Sequence, residues 1–176
     1  MQMFAIEGGI PLQGTIDVGG SKNAVLPMMA AALLCEGPVR LCRVPRLVDV
    51  DTMATLLQDL GAQTEFAPDN SLTIVADQLH STTAPYDVVR RMRASVCVLG
   101  PLLARFGRAR VSLPGGCNIG LRPIDIHLRG LSQMGASIRM ESGYVIAECD
   151  RLHPAEIDLA GPSGTTVTGT ANLMMA

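Results

Sequence analysis

The 176 residues are 48% hydrophobic and 17% charged, which excludes a disordered chain and allows a packed core. A formal net charge of −2 excludes a broad basic face, so no nucleic-acid partner is expected. With 3% aromatics and no Trp, the core is left to Leu, Val, Ile, Ala and the ten methionines.

Residues 1–20 lack a basic start and a long apolar run, so they do not read as a signal peptide. The longest apolar stretch, 24–35, carries Pro27 and is too short to span a bilayer, so no membrane partner is expected. From Asn23 onward the chain shows an internal repeat of about 70 residues. The run 23–30 aligns with 93–100 and again with 170–176, and each copy reads as a buried helix. A strand follows over 39–42 in the first copy and over 110–113 in the second. Next, 51–62 matches 125–136 as an amphipathic helix. Its apolar positions are Met53, Leu56, Leu57 and Leu60 in one copy and Ile126, Leu128, Leu131 and Met134 in the other. Each helix ends at a Gly suited to a left-handed cap. Strands are expected over 63–66 and 72–75, and over 137–140 and 145–147.

The unit is therefore helix, strand, helix, strand, strand, with a further strand leading in. The fold class is α/β, with repeated βαβαββ units around shared buried helices. Residues 21–176 form one domain of two complete units and a third that stops within its first helix at Ala176. A truncated product is the expectation from that break.

Three stretches can carry chemistry. Gly19-Gly20-Ser21-Lys22-Asn23-Ala24 puts a candidate N-cap, Ser21, and a cation at a helix start, which suits phosphate or carboxylate. The spacing is not that of a P-loop, and an ordinary capped helix with a surface Lys is equally consistent. In Arg90-Arg91-Met92-Arg93, Arg93 takes the place of Asn23 and suits a phosphate oxygen, whereas Arg90 and Arg91 read as a solvated basic turn. The run 113–125 sets Cys117 among three glycines, with Arg122 five residues on. The matching link in the first unit is shorter and has neither Gly nor Cys. Such a thiol can be a nucleophile or acid of lowered pKa, or a passive small residue. Cys35, Cys42, Cys97 and Cys149 fall in expected helices or strands and read as core. No CxxC pair and no His–Cys spacing suggests a metal, so no metal or cofactor is expected, and the odd cysteine count fits a reducing cytoplasm. His127 lies on the helix after the loop, in a supporting position, and His80 and His153 read as surface residues.

The run from Arg93-Ala94-Ser95 through Pro114-Gly115-Gly116-Cys117 to Arg122-Pro123-Ile124-Asp125-Ile126-His127, with Gly20-Ser21-Lys22-Asn23-Ala24 at the start, resembles the UDP-N-acetylglucosamine 1-carboxyvinyltransferase family of enolpyruvyl transferases. The resemblance covers nearly the whole chain. It implies two similar domains of three units each, with substrates in the cleft between them, and residues 1–20 pairing with a second domain missing here. It implies transfer of the enolpyruvyl group of phosphoenolpyruvate to UDP-N-acetylglucosamine, with Cys117 as general acid and site of a covalent adduct. Lys22, Asn23 and Arg122 would contact phosphoenolpyruvate. Asn23, Arg93, Arg122, Pro123, Ile124, Asp125, Ile126, Thr166, Val167 and Thr168 would contact the sugar nucleotide. The stretch 164–170 departs from the Ser-Val-Gly-Ala-Thr pattern common in the family. A catalytic Asp and a further Arg would lie in the second domain, so this chain alone is expected to be inactive. A shikimate-pathway relative and a non-catalytic half-module that captures a nucleotide or partner are the alternatives.

Overall fold

The computed structural model describes residues 3–114, 123–161 and 164–176. Residues 3–20 form no helix or strand, and 3–19 lie exposed, with Phe4 at 97% and Leu12 at 96%. The helix α1, Lys22–Ala31, buries Val25, Leu26, Met29 and Ala30, the i, i+1, i+4, i+5 spacing of one apolar face. Pro27 lies inside it and leaves the Asn23 carbonyl without its usual i+4 donor. A short 3-10 turn, Ala32–Leu34, leads to β1, Pro38–Leu41.

The helix α2, Val48–Leu60, turns Val50, Met53, Leu56, Leu57 and Leu60 inward and stops at Gly61, whose φ of 108° needs a residue without Cβ. β2, Gln63–Phe66, and β3, Leu72–Val75, complete the unit. β3 is central in an antiparallel sheet of order β1-β3-β2 and buries Leu72 and Ile74 on one face.

The second unit opens with β4, Thr83–Ala84, and the short α3, Tyr86–Val89. A 3-10 helix, Arg93–Val98, continues as α4, Leu99–Phe106, followed by β5, Arg108–Ser112. Then come α5, Asp125–Gln133, β6, Ser137–Glu141, and β7, Tyr144–Glu148. These strands form a sheet of order β4-β5-β7-β6, in which only the β4–β5 pair is parallel. The third unit contributes α6, Val167–Met174.

The repeated units appear as expected, and the leading strand is present before the second unit as β4. Among the described residues no strand lies before α1, and none lies between β7 and α6. The helix expected over 93–100 is split instead into a 3-10 helix and α4, with Pro101 just past the break. The α form starts at Leu99, so Pro101 lies in its first turn and lacks only an N–H that would be unpaired anyway, whereas Pro27 inside α1 costs a hydrogen bond. The cysteine reading also needs correction. Cys35 and Cys42 are exposed, because each sits one residue past the end of its element. Cys97 is buried and Cys149 half-buried.

The helix α1, the 3-10 helix, α4 and α6 pack on one another within a single apolar cluster that also takes in both sheets. Close approach of α6 depends on glycine. A Cβ at Gly100 would overlap the Asn172 carbonyl, and one at Gly130 would overlap the Leu173 side chain. No helix among the described residues is long and apolar enough to cross a membrane.

Candidate functional site

Three element starts converge. The Arg93 guanidinium, at the start of the 3-10 helix, donates to the Pro123 carbonyl at 3.1 Å, just before α5. The imidazole of His127, on the first turn of α5, lies 3.4 Å from the Thr168 hydroxyl at the start of α6. Thr166 caps α6 in earnest: its hydroxyl accepts from the Gly169 N–H at 3.1 Å. Arg93, 123–127 and 166–168 are thus held together, although they are up to 75 residues apart.

Within this group Ile124 and Ile126 are buried and anchor the start of α5, whereas Pro123 and Asp125 face solvent. Val167 is 81% exposed at the helix tip. An exposed proline and acid at a helix start, beside the Arg93 guanidinium, give this corner a surface that a polar anion can meet. The hydroxyls of Thr166 and Thr168 face each other at 3.3 Å and belong to the internal hydrogen bonding of this corner.

His127 is 1% exposed. Burial first, and then the nearby Arg93 guanidinium, push its pKa down to about 4, against the opposing pull of Asp125, so the ring is neutral at pH 7. Its Nδ1 lies 3.1 Å from the Asn172 amide nitrogen. Asn172, fully buried in α6, also bonds the Gly100 N–H at 2.8 Å and the Val96 carbonyl at 3.2 Å.

The start of α1 is built differently. Ser21 occupies the N-cap position and its carbonyl accepts the Val25 N–H at 3.0 Å, but its side chain makes no cap. Lys22 forms an ion pair with Asp49 of α2 at 2.8 Å, with the two side chains 45% and 34% exposed. Asn23 is exposed beside it. Gly20 is held tightly, since a Cβ there would overlap the Arg43 carbonyl. Cys117 and Arg122 lie outside the described residues.

Sequence reasoning placed His127 in a supporting position but overlooked Asn172, which it counted within an apolar helix. The available signal was a lone amide among Leu and Met on a helix expected to be buried, since such a group requires partners. Among the described residues no group of three His, Cys, Asp or Glu could hold a metal.

A repeated helix–strand–helix–strand–strand unit packed around buried helices is the architecture of an enolpyruvyl transferase domain. The EPSP synthase (3-phosphoshikimate 1-carboxyvinyltransferase) family model matches residues 6–176, and the chain belongs to that family. Curated relatives from Sorangium cellulosum (strain So ce56) and Desulfovibrio desulfuricans are each 53% identical over all 176 residues, and both are named UDP-N-acetylglucosamine 1-carboxyvinyltransferase. The chain spans 41% of the length of each. Among solved structures, the enolpyruvyl transferase NikO from Streptomyces tendae aligns with a TM-score of 0.70 at 27% identity, over 84% of this chain and 32% of that one. EPSP synthase from Acinetobacter baumannii shares the fold, with a TM-score of 0.67 at 16% identity, over 92% of this chain and 37% of that one.

Proposed function

We propose that this chain is the substrate-holding half of an enzyme that transfers the enolpyruvyl group of phosphoenolpyruvate to the 3-hydroxyl of UDP-N-acetylglucosamine, releasing phosphate. The observation that carries this reading is the 53% identity, over every residue of the chain, to relatives of that name. The geometry supports it: Arg93, 123–126 and 166–168 meet at one corner suited to a sugar nucleotide, and Lys22 and Asn23 stand at a separate helix start suited to a smaller anion. In this reading Cys117 gives the proton to the enolpyruvyl methylene and forms the adduct, and Arg122 neutralises phosphate. A second domain closes the cleft and supplies the base. The apolar side chains of 3–20, exposed here, would pack on that domain. The reaction is the first committed step of peptidoglycan synthesis, carried out in the cytoplasm.

The test is phosphate release from phosphoenolpyruvate plus UDP-N-acetylglucosamine, by this chain and by a full-length protein that carries it. Turnover by the longer protein alone is expected, and turnover with shikimate 3-phosphate in place of the sugar nucleotide would overturn the reading. Nucleotide binding without turnover by any longer product would favour the half-module instead. Lys22→Ala and Arg122→Ala should each cut turnover strongly, because charge-assisted contacts in a closed cleft are lost. Cys117→Ser should nearly abolish it, since a hydroxyl is a poor acid at neutral pH. Brief alkylation should label Cys117 in a Cys35→Ala/Cys42→Ala background, which is needed because those two thiols are exposed. Burial raises the pKa of Cys97 to about 12 and also raises that of Cys149, so neither competes.

A further inference from the structure

Two of the buried polar side chains among the described residues, Asn172 and His127, bond each other. The amide of Asn172 has a forced orientation. Gly100 N–H can only donate, so it meets Oδ1, and the Val96 carbonyl can only accept, so it meets Nδ2. The second Nδ2 hydrogen then points at His127 Nδ1, which must be the unprotonated ring nitrogen. The ring hydrogen therefore sits on Nε2 and is directed at Thr168 Oγ1. The Thr168 hydroxyl in turn faces Thr166 Oγ1, which already accepts from the Gly169 N–H. The donors from Asn172 to Thr168 run in one direction, and between the two threonines either hydroxyl can donate.

This run of bonds ties together the three elements on which the functional reading places the nucleotide corner, and α4 with them. Val96 lies one turn after Arg93, His127 directly after Ile126, Asn172 one turn after Thr168, and Gly100 fixes α4 against α6. We propose that Asn172 and His127 are positioning residues for the sugar-nucleotide site, setting the mutual geometry of Arg93, 123–126 and 166–168 through the bond from His127 Nε2 to Thr168. The inference rests on the functional reading above and names the residues that build its nucleotide corner. Burial and the Arg93 charge, which hold the ring neutral, keep the donor direction intact.

The test uses the full-length enzyme. His127→Asn keeps an acceptor near the Nδ1 position for Asn172 but removes the donor to Thr168. His127→Gln keeps a donor near the Nε2 position. We expect the Asn variant to raise KM for UDP-N-acetylglucosamine by roughly tenfold, the scale of one hydrogen bond lost from an ordered site, while KM for phosphoenolpyruvate moves by less than about twofold. The Gln variant should recover most of that loss. Equal rises in both KM values, or no rise in an active Asn variant, would overturn the proposal. A measurement on the unmutated enzyme guards against a variant that does not fold. Nitrogen-15 spectra of the labelled imidazole should show Nε2 protonated, with a shift that moves on adding UDP. A ring protonated on Nδ1, or one indifferent to saturating UDP, would overturn the proposal by itself. Absence of UDP binding by the unmutated enzyme in calorimetry would instead bring down the functional reading, and this proposal with it.

Discussion

The starts of α1 and α6 occupy equivalent places in the repeat, yet they are held by different means. At α1 an exposed lysine reaches an aspartate on the next helix through solvent-accessible side chains. At α6 a buried amide ties the helix to two other helical segments and to an imidazole. At one position in the aligned units the side chain is Val25, Ser95 or Asn172, all buried. The first packs as a hydrocarbon, Ser95 Oγ has no partner among the described residues, and the third is a hub. The lesson is that a repeat reproduces backbone placement while single side chains decide which copies are rigid. A helix start fixed by a surface ion pair can move its lysine at little cost. One fixed from inside cannot shift without leaving polar groups unpaired.

This contrast can be broken most directly at its hub. Asn172→Leu strands the Gly100 N–H, the Val96 carbonyl and His127 Nδ1 in the core. We expect a loss of about 4 kcal/mol in chemical denaturation, given a desolvation cost of about 1–3 kcal/mol for each group. A loss under about 1 kcal/mol would mean that the hub is dispensable.

Acid comes next. The folded pKa of His127, about 4, is below the unfolded value of 6.5, so between these limits the unfolded chain binds the proton more readily. The stability tied to the neutral ring is present above pH 6.5, falls as the pH drops towards 4, and is gone below that. The expected loss across the window is on the order of 3 kcal/mol. Denaturation midpoints followed from pH 7 to pH 4 should show this slope, and His127→Gln should flatten it.

Crowding the α4–α6 contact is a milder perturbation. Gly100→Ala sets a methyl group against the Asn172 backbone and lies 2.6 Å from its Oδ1, which should cost about 2 kcal/mol. Gly19→Ala, beside α1, meets nothing within 4 Å and should stay within about 0.5 kcal/mol of the parent.

Among the contacts broken, the smallest effect belongs to the ion pair itself. Asp49→Asn should change the unfolding free energy by under about 1 kcal/mol, because both partners are partly exposed and screened by salt. A larger loss would show that the α1 start is as firmly built as that of α6.

Much of this architecture was legible in the chain. The 3.6-residue spacing of Met53, Leu56, Leu57 and Leu60 and the terminating Gly61 locate α2, although it begins three residues before the expected start, and β3 falls on the expected 72–75. These are local signals, set by how a helix or strand presents its own side chains to a core. The family resemblance was legible for the same reason, since Gly-rich links and helix starts are contiguous in the chain. The proper exposure of Cys35 and Cys42 was not, because one residue beyond an element is enough to move a side chain from core to water. Nor was the split of the second helix around Pro101 read in advance. The role of Asn172 depended wholly on tertiary structure. Its partners Gly100, Val96 and His127 lie 72, 76 and 45 residues away. A buried amide announces that it needs hydrogen bonds, but only the packing of α6 against three other elements decides which groups are close enough to supply them.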